Sequence, residues 1–275
     1  MKKILALAAA ALLTIALNAA TPTGVTIMSY NIRVGSANDG TNSWEYRYPA
    51  SAMMISDQKP DVVGLQEALS YQVRYLSDFI DGYKAIGTGK DKGDVKCHHM
   101  TMFYNSKTTS VVKWGSFWLS ETPDKASRGW DAAQERSATW AIFKDKRSGK
   151  KYMVVNTHLD REGAQARSEG LALILDRIAG LNGSGLPVVL IGDFNMKGSD
   201  SAFAPMKGVM QNARSVAAKS DDTPSYNGWG KASETIDHIW FSGFSSCTEF
   251  QTVTKPYQDR KFISDHYPVK ATLFF

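Results

Sequence analysis

Short apolar runs recur along the 275-residue chain, each closed by turn-forming residues. They are VTIMSYNI, DVVGLQEA, TMFYN, KYMVVNTHL, PVVLIGDFN, TIDHIWF and YPVKATLF. Runs of this length, rich in β-branched and aromatic residues, predict strands of a largely buried sheet. Residues 164–181 follow another period. Leu171, Ile174, Leu175 and Ile178 fall at i, i+3, i+4 and i+7, which is one apolar face of a helix. Residues 49–59 and 70–80 are weaker helix candidates. Strands and helices mixed without strict βαβ alternation predict a layered α/β sandwich. No linker divides the chain. Residues 115–136, GSFWLSETPDKASRGWDAAQER, show neither period and read as a long surface excursion between strands. Loops of that length in compact domains often carry function.

Polar residues stand where the apolar runs end. Side chains alternate between faces in an extended chain, which puts Asp193 and Asn195 of GDFN on the face of Val189 and Ile191. The same rule groups Glu67 with Val63 and Leu65, His158 with Val154 and Asn156, and Asn31 with Ile27 and Ser29. Asp237 shares a face with Ile239 and Phe241, and a carboxylate among apolar neighbours needs a partner. Asp265 and His266 of SDHYPV are the candidates. Carboxylate and amide oxygens without thiolates suit a hard divalent cation such as Mg²⁺. A histidine held by a buried carboxylate is a recurring acid or orienting unit. Together these groups fit hydrolysis at phosphorus, with a cation neutralising charge, a carboxylate preparing water and a histidine stabilising the pentavalent oxyanion. Each has an ordinary alternative. Asp193 can start a turn, Glu67 can cap the following helix, and His158 can be merely packed or exposed. The joint occurrence of LQE, NTHL, GDFN and SDH carries the functional reading.

Composition sets the compartment and limits the partners. MKK, ILALAAAALLTIAL and NAA have the charged, apolar and small-residue segments of a secretory signal peptide. Residues 1–20 are therefore expected to be a leader and 21–275 one domain, periplasmic or secreted. An uncleaved anchor is the alternative, although the apolar run is short for a membrane span. Net charge is +5, or +3 without Lys2 and Lys3. That is compatible with a phosphate-bearing ligand but, lacking a dense basic stripe, does not itself argue for nucleic acid. Cys97 and Cys247 are the only cysteines. Whether they pair is left open, since geometry decides it.

The segments SYNIR, DVVGLQE, FYN, NTHLD, GDFN, TIDHIWF and SDHYPV span nearly the whole mature chain. In this order they resemble the motifs of the endonuclease/exonuclease/phosphatase superfamily, the DNase I-like fold. The resemblance implies a four-layer α/β sandwich with two central, mostly antiparallel sheets flanked by helices. It also implies divalent-metal phosphoester hydrolysis at one edge, with Mg²⁺ expected and Mn²⁺ or Ca²⁺ as substitutes. By this resemblance Asn31 and Glu67 match the metal-site amide and acid, and Asp265 a metal-side acid. Asp193 matches the acid that orients or deprotonates the attacking water. Asn195 matches the amide that holds the phosphate or that water. His158 resembles a phosphate-contacting or leaving-group histidine, a position that varies among branches. His266 matches the histidine that contacts the scissile phosphate, and Asp237 the carboxylate that orients it.

Arg33 stands where abasic-site nucleases often place an acid, which removes a candidate metal ligand and adds a phosphate donor. FWLSETPD and GWDAA resemble secreted bacterial members of unassigned substrate. Where that branch is expected to carry an acid before the FY strand, this chain has Cys97, His98 and His99. The two histidines are either ligands of metal or substrate, or part of an exposed loop. The expected partner is a phosphoester substrate, a small ester ahead of nucleic acid and of a lipid headgroup. No stable protein partner is expected, and the chain reads as a monomer. A phospho-ligand-binding module without catalysis is the reading from a different class.

Overall fold

The computed structural model describes residues 23–87 and 100–275. The expected leader, Cys97, His98 and His99 lie outside the described residues. The chain forms two six-stranded sheets. The first runs in the order β11 (Ser246–Thr252), β12 (Val269–Phe274), β1 (Gly24–Asn31), β2 (Val62–Gln66), β4 (Met102–Asn105), β3 (Tyr83–Ile86). The second runs β5 (Thr109–Trp118), β6 (Ser137–Asp145), β7 (Lys151–His158), β8 (Val188–Asp193), β10 (Asp237–Ser242), β9 (Gln211–Asn212). The pairs β1–β2 and β7–β8 are parallel and the other neighbours antiparallel.

Three apolar layers hold four structural layers together. Helices α1 (Trp44–Gln58) and α2 (Ser70–Phe79) pack Ala50, Met54, Ile55, Val73 and Leu76 against Met28, Tyr30, Val63 and Leu65 of the first sheet. Between the sheets lie Ile27, Val62, Val154, Val189, Ile191, Ile239 and Phe241. Helix α3 (Ala164–Leu181) sets Leu171 and Ile174 against Val155, Leu190 and Trp240 on the outer face of the second sheet. Central strands are therefore apolar on both faces, which is why they read as continuous hydrophobic runs. The result is the four-layer α/β sandwich expected from the sequence.

Strands β3, β5, β6, β9 and β11 were not among the apolar runs. β5 is an edge strand with exposed Lys113 and half-exposed neighbours, so one face carries little hydrophobic signal. The 115–136 segment is correspondingly shorter as a loop, because Phe117 and Trp118 still belong to β5. Helix α1 begins before the expected residue 49, with Pro49 inside it and Trp44 and Arg47 buried ahead of that proline. No helix among the described residues is long and apolar enough to cross a membrane.

Candidate active site

Strand register assembles the first part of the site. The parallel pairing of β7 with β8 sets His158 opposite Asp193, and the antiparallel pairing of β10 sets Asp237 opposite Asp193. Gly192 permits this approach, because a Cβ there would lie 2.1 Å from the Thr157 carbonyl oxygen. Beyond β8 the chain turns sharply. Asn195 has φ 51°, a left-handed conformation that asparagine tolerates, and its N–H donates to Asp193 Oδ1 at 2.9 Å. Asn195 therefore folds back over the strand end, with Nδ2 3.0 Å from His158 Nε2 and donating to the Leu159 carbonyl at 3.0 Å.

The first sheet uses the same device. Glu67 follows β2 with φ 63°. Its carboxylate accepts from Asn31 Nδ2 at 3.1 Å and from the Val34 N–H at 2.9 Å. Strand alternation accounts for Asn31, Asp193, His158 and Asp237. It does not extend to Glu67 and Asn195, whose side chains are placed by left-handed turns.

Contacts across the two sheets join these parts. Asn31 Nδ2 also donates to Asp193 Oδ2 at 2.9 Å. His266, on the segment before β12, donates from Nδ1 to Asp237 Oδ2 at 2.7 Å and holds Nε2 3.7 Å from Asp193 Oδ2. Asp265 Oδ2 faces Arg33 Nη1 at 3.6 Å. Arg33 is otherwise committed to Asp39, through Nε and Nη2 at 2.9 Å each. Of the nine residues the sequence singled out, all but Asn31 and Asp237 line one cavity of about 350 Å³, and those two bond directly to residues that do.

Burial sets the electrostatics. Desolvation and the neighbouring Asp237 charge push the Asp193 carboxyl up to about 7, against the pull of His266 and the bonds from Asn195 and Asn31. Burial would lower His266, but Asp237 and Asp193 together carry it up to about 10. Desolvation would likewise raise Glu67, yet the charges of His158 and His266 and the Val34 and Asn31 bonds hold it at about 2. Asp265 is raised by burial, with His266 and Arg33 pulling the other way. The site thus keeps one acid charged, one near neutrality and one imidazole protonated.

The residues present fit a divalent cation. Glu67 and Asp265 are carboxylates in one recess whose like charges repel, and the nearest arginine stands 3.6 Å off. Oxygen donors without sulfur match a hard ion. Asp193, Asp237 and His266 also offer ligand atoms within 4.8 Å of one another. His266 and Asp237 direct theirs at each other.

Three further residues escaped the sequence reading. Asp160, two residues after His158 in NTHLD, is buried and accepts from the N–H groups of Ala133, Gln134, Glu162 and Gly163 and from Arg136 Nε. Arg136 lines the cavity. Arg47 of α1 is fully buried and donates to the carbonyls of Ile32, Arg33, Asn42 and Ile263, tying the two loops that carry Arg33 and Asp265. An acid just after NTHL was the only signal for Asp160, and nothing local marked the two arginines.

Residues 28–266 match the sequence model of the Endonuclease/Exonuclease/phosphatase family. The chain belongs to this family. Its fold is that of the family's phosphoester hydrolases, which use divalent metals, and Asp193, Asp237 and His266 form a buried group that could hold such an ion. No curated protein matches in a sequence search. Among solved structures, the chain is similar to a family member from Bacteroides thetaiotaomicron, with 33% identity, TM-score 0.85, and 93% of this chain and 99% of that one covered. It is equally similar to a mannosyl-6-phosphatase from the same organism, with 33% identity, TM-score 0.85, and 91% and 100% covered. A zebrafish TDP2 complexed with single-strand DNA product shares the fold at 16% identity and TM-score 0.72, with 91% and 99% covered.

Proposed function

We propose that the protein is an exported, divalent-metal-dependent hydrolase of small phosphomonoesters. The observation that carries this reading is the cavity of about 350 Å³ with Asp193, His266, Glu67 and Asp265 in its wall. A pocket of that size takes a small ligand. The likeness to a mannosyl-6-phosphatase at 33% identity supports the monoester assignment, and the signal-like residues 1–20 support export.

Asp193, raised to about 7, accepts a proton from the attacking water at neutral pH, and the Asn31 amide fixes the orientation of its Oδ2. His266, kept protonated by Asp237, presents Nε2–H to a phosphoryl oxygen as negative charge develops there. Asn195 and His158, 3.0 Å apart and with His158 Nε2 3.5 Å from Asp193 Oδ2, orient the phosphoryl group and the departing oxygen. Glu67 and Asp265, with Asn31 beside them, would hold the cation, Mg²⁺ by donor chemistry, which supplies charge neutralisation at the phosphoryl group.

The test is a hydrolysis panel on purified protein with Mg²⁺ or EDTA: p-nitrophenyl phosphate, bis-p-nitrophenyl phosphate, sugar phosphates, plasmid DNA and sphingomyelin. Monoester turnover that needs Mg²⁺ is expected, and Asp193→Ala or His266→Ala should lower it by about 10²–10⁴-fold. Faster cleavage of DNA or of the diester would replace the monoesterase reading with a nuclease or diesterase. Metal-dependent binding of phosphate without any turnover would make the protein a binding module.

A further inference from the structure

The wall of the cavity beyond His158 belongs to none of the catalytic groups. Strand order places it. Arg136 immediately precedes β6, and β6 lies on the far side of β7 from Asp193 and Asp237. The wall consists of the end of the 119–136 loop and the 160–163 turn, fastened together by two carboxylates. Asp160 accepts four backbone N–H groups from both segments. Asp131 accepts from the N–H groups of Gln165 and Ala166 at the start of α3, and a Cβ on Gly163 would meet Asp131 Oδ1 at 2.5 Å. This loop is therefore held in one arrangement before any ligand arrives.

Arg136 is fixed with it. Its Nε donates to the buried Asp160 Oδ2 at 3.1 Å, and its side chain is 11% exposed. Among the described residues, no acceptor bonds its two terminal nitrogens, and the residue lines the cavity. A guanidinium anchored through Nε presents its other edge as a rigid two-donor fork. The same cavity is lined by Gln134, Arg161, Glu162 and Glu234. Donors and acceptors are interspersed and apolar groups are few. Hydroxyl groups both donate and accept, and satisfy such a lining.

We propose that this wall is a leaving-group subsite for a polyhydroxylated phosphomonoester, with Arg136 as its specificity-determining residue and Asp160 positioning it. This rests on the phosphomonoesterase reading above. The phosphoryl group lies at the Asp193 and His266 end, so the polyol extends past His158 onto the Arg136 fork. A leaving group without hydroxyls would leave these polar groups unpaired and lose discrimination.

The experiment compares kcat/KM for mannose 6-phosphate and for n-hexyl phosphate in Mg²⁺, the second probe having a primary alkyl ester and no hydroxyls. Wild type should prefer the sugar phosphate by about tenfold or more. Arg136→Met, and separately a Gln134→Ala/Glu162→Ala double variant of exposed residues, should each cut that preference by about tenfold, the scale of one or two lost hydrogen bonds to the ligand. Thermal melts show whether Arg136→Met folds, and the double variant decides if it does not. Equal efficiency on the two probes in wild type, or equal losses on both in the variants, overturns the subsite and leaves the phosphomonoesterase reading standing. Hydrolysis of neither probe, nor of p-nitrophenyl phosphate, overturns that reading itself.

Discussion

Asn31 ends a strand of one sheet and Asp193 ends a strand of the other, yet the Asn31 amide donates to the Asp193 carboxylate at 2.9 Å. The same Nδ2 reaches Glu67 at 3.1 Å. One amide thus ties the acid proposed to accept the proton, Asp193, to the acid proposed to hold the metal, Glu67, across the seam of the sandwich.

Removing that amide shifts the acid limb of the pH profile. The Asn31 bond favours the charged form of Asp193, so Asn31→Ala raises a pKa already at about 7. In the proposed mechanism activity requires the ionised carboxylate. The acid limb of kcat/KM therefore moves to higher pH, and activity at pH 7 drops by about 10–100-fold, the scale for losing a supporting hydrogen bond in such a site. A limb at unchanged pH would show that Asp193 is not the group titrating.

Asp237 controls the basic limb. Burial alone depresses His266, and Asp237 is the leading cause that lifts it to about 10. In Asp237→Asn the imidazole pKa falls towards its ordinary value of about 6.5. If protonated His266 stabilises the transition state, the upper limb of kcat moves down from near pH 10 towards neutrality. The stabilisation from the raised pKa, fully present below about pH 6.5 and lost as pH rises through about 10, is also diminished. NMR titration of the His266 ring checks the shift directly.

Metal binding has a readout independent of turnover. A cation bound only by the folded protein stabilises it by about 2.7 kcal/mol at a hundredfold excess over Kd. For a chain of this size that is roughly a 5–10 °C rise in Tm on adding Mg²⁺, reversed by EDTA. Glu67→Gln should lose most of the rise. An equal rise in wild type and variant would place the ion elsewhere, with the Asp193, Asp237 and His266 group as the next candidate.

Asp160 makes acid stability measurable. Desolvation would raise its pKa, but the bonds from Gly163, Ala133, Glu162 and Arg136 bring it down to about 2. A depressed carboxylate contributes stability that is present above its unfolded pKa, about 4, and lost as pH falls through about 2. The contribution is about 2 kcal/mol. Asp160→Asn should be less stable by about 2–4 kcal/mol at pH 6, with a smaller further loss between pH 4 and 2. Urea unfolding at the two pH values tests both statements.

Much of this was legible along the chain. Apolar runs closed by polar residues marked β1, β2, β7, β8 and β10, because strands buried on both faces must be continuously hydrophobic. Asp237 among apolar neighbours demanded a partner, and His266 at 2.7 Å is that partner. Period and burial are local quantities that a sequence carries directly. The edge strand β5 was hidden for the same reason, since a half-exposed strand has no such run.

Tertiary structure decided what depends on backbone handedness and on how the sheets are set against each other. The left-handed turns at Glu67 and Asn195 break the alternation that would otherwise place their side chains. The Asn31–Asp193 bond joins residues 162 apart in sequence and exists only because β1 and β8 end at the same edge. Asp160 finds its acceptor role through backbone N–H groups some 26 residues away, which every residue but proline carries and no motif can announce. The sequence by itself determined which chemical groups would be buried at strand ends. Only packing determined which of them would meet, because hydrogen-bond partners are selected by distance in space and not by identity in the chain.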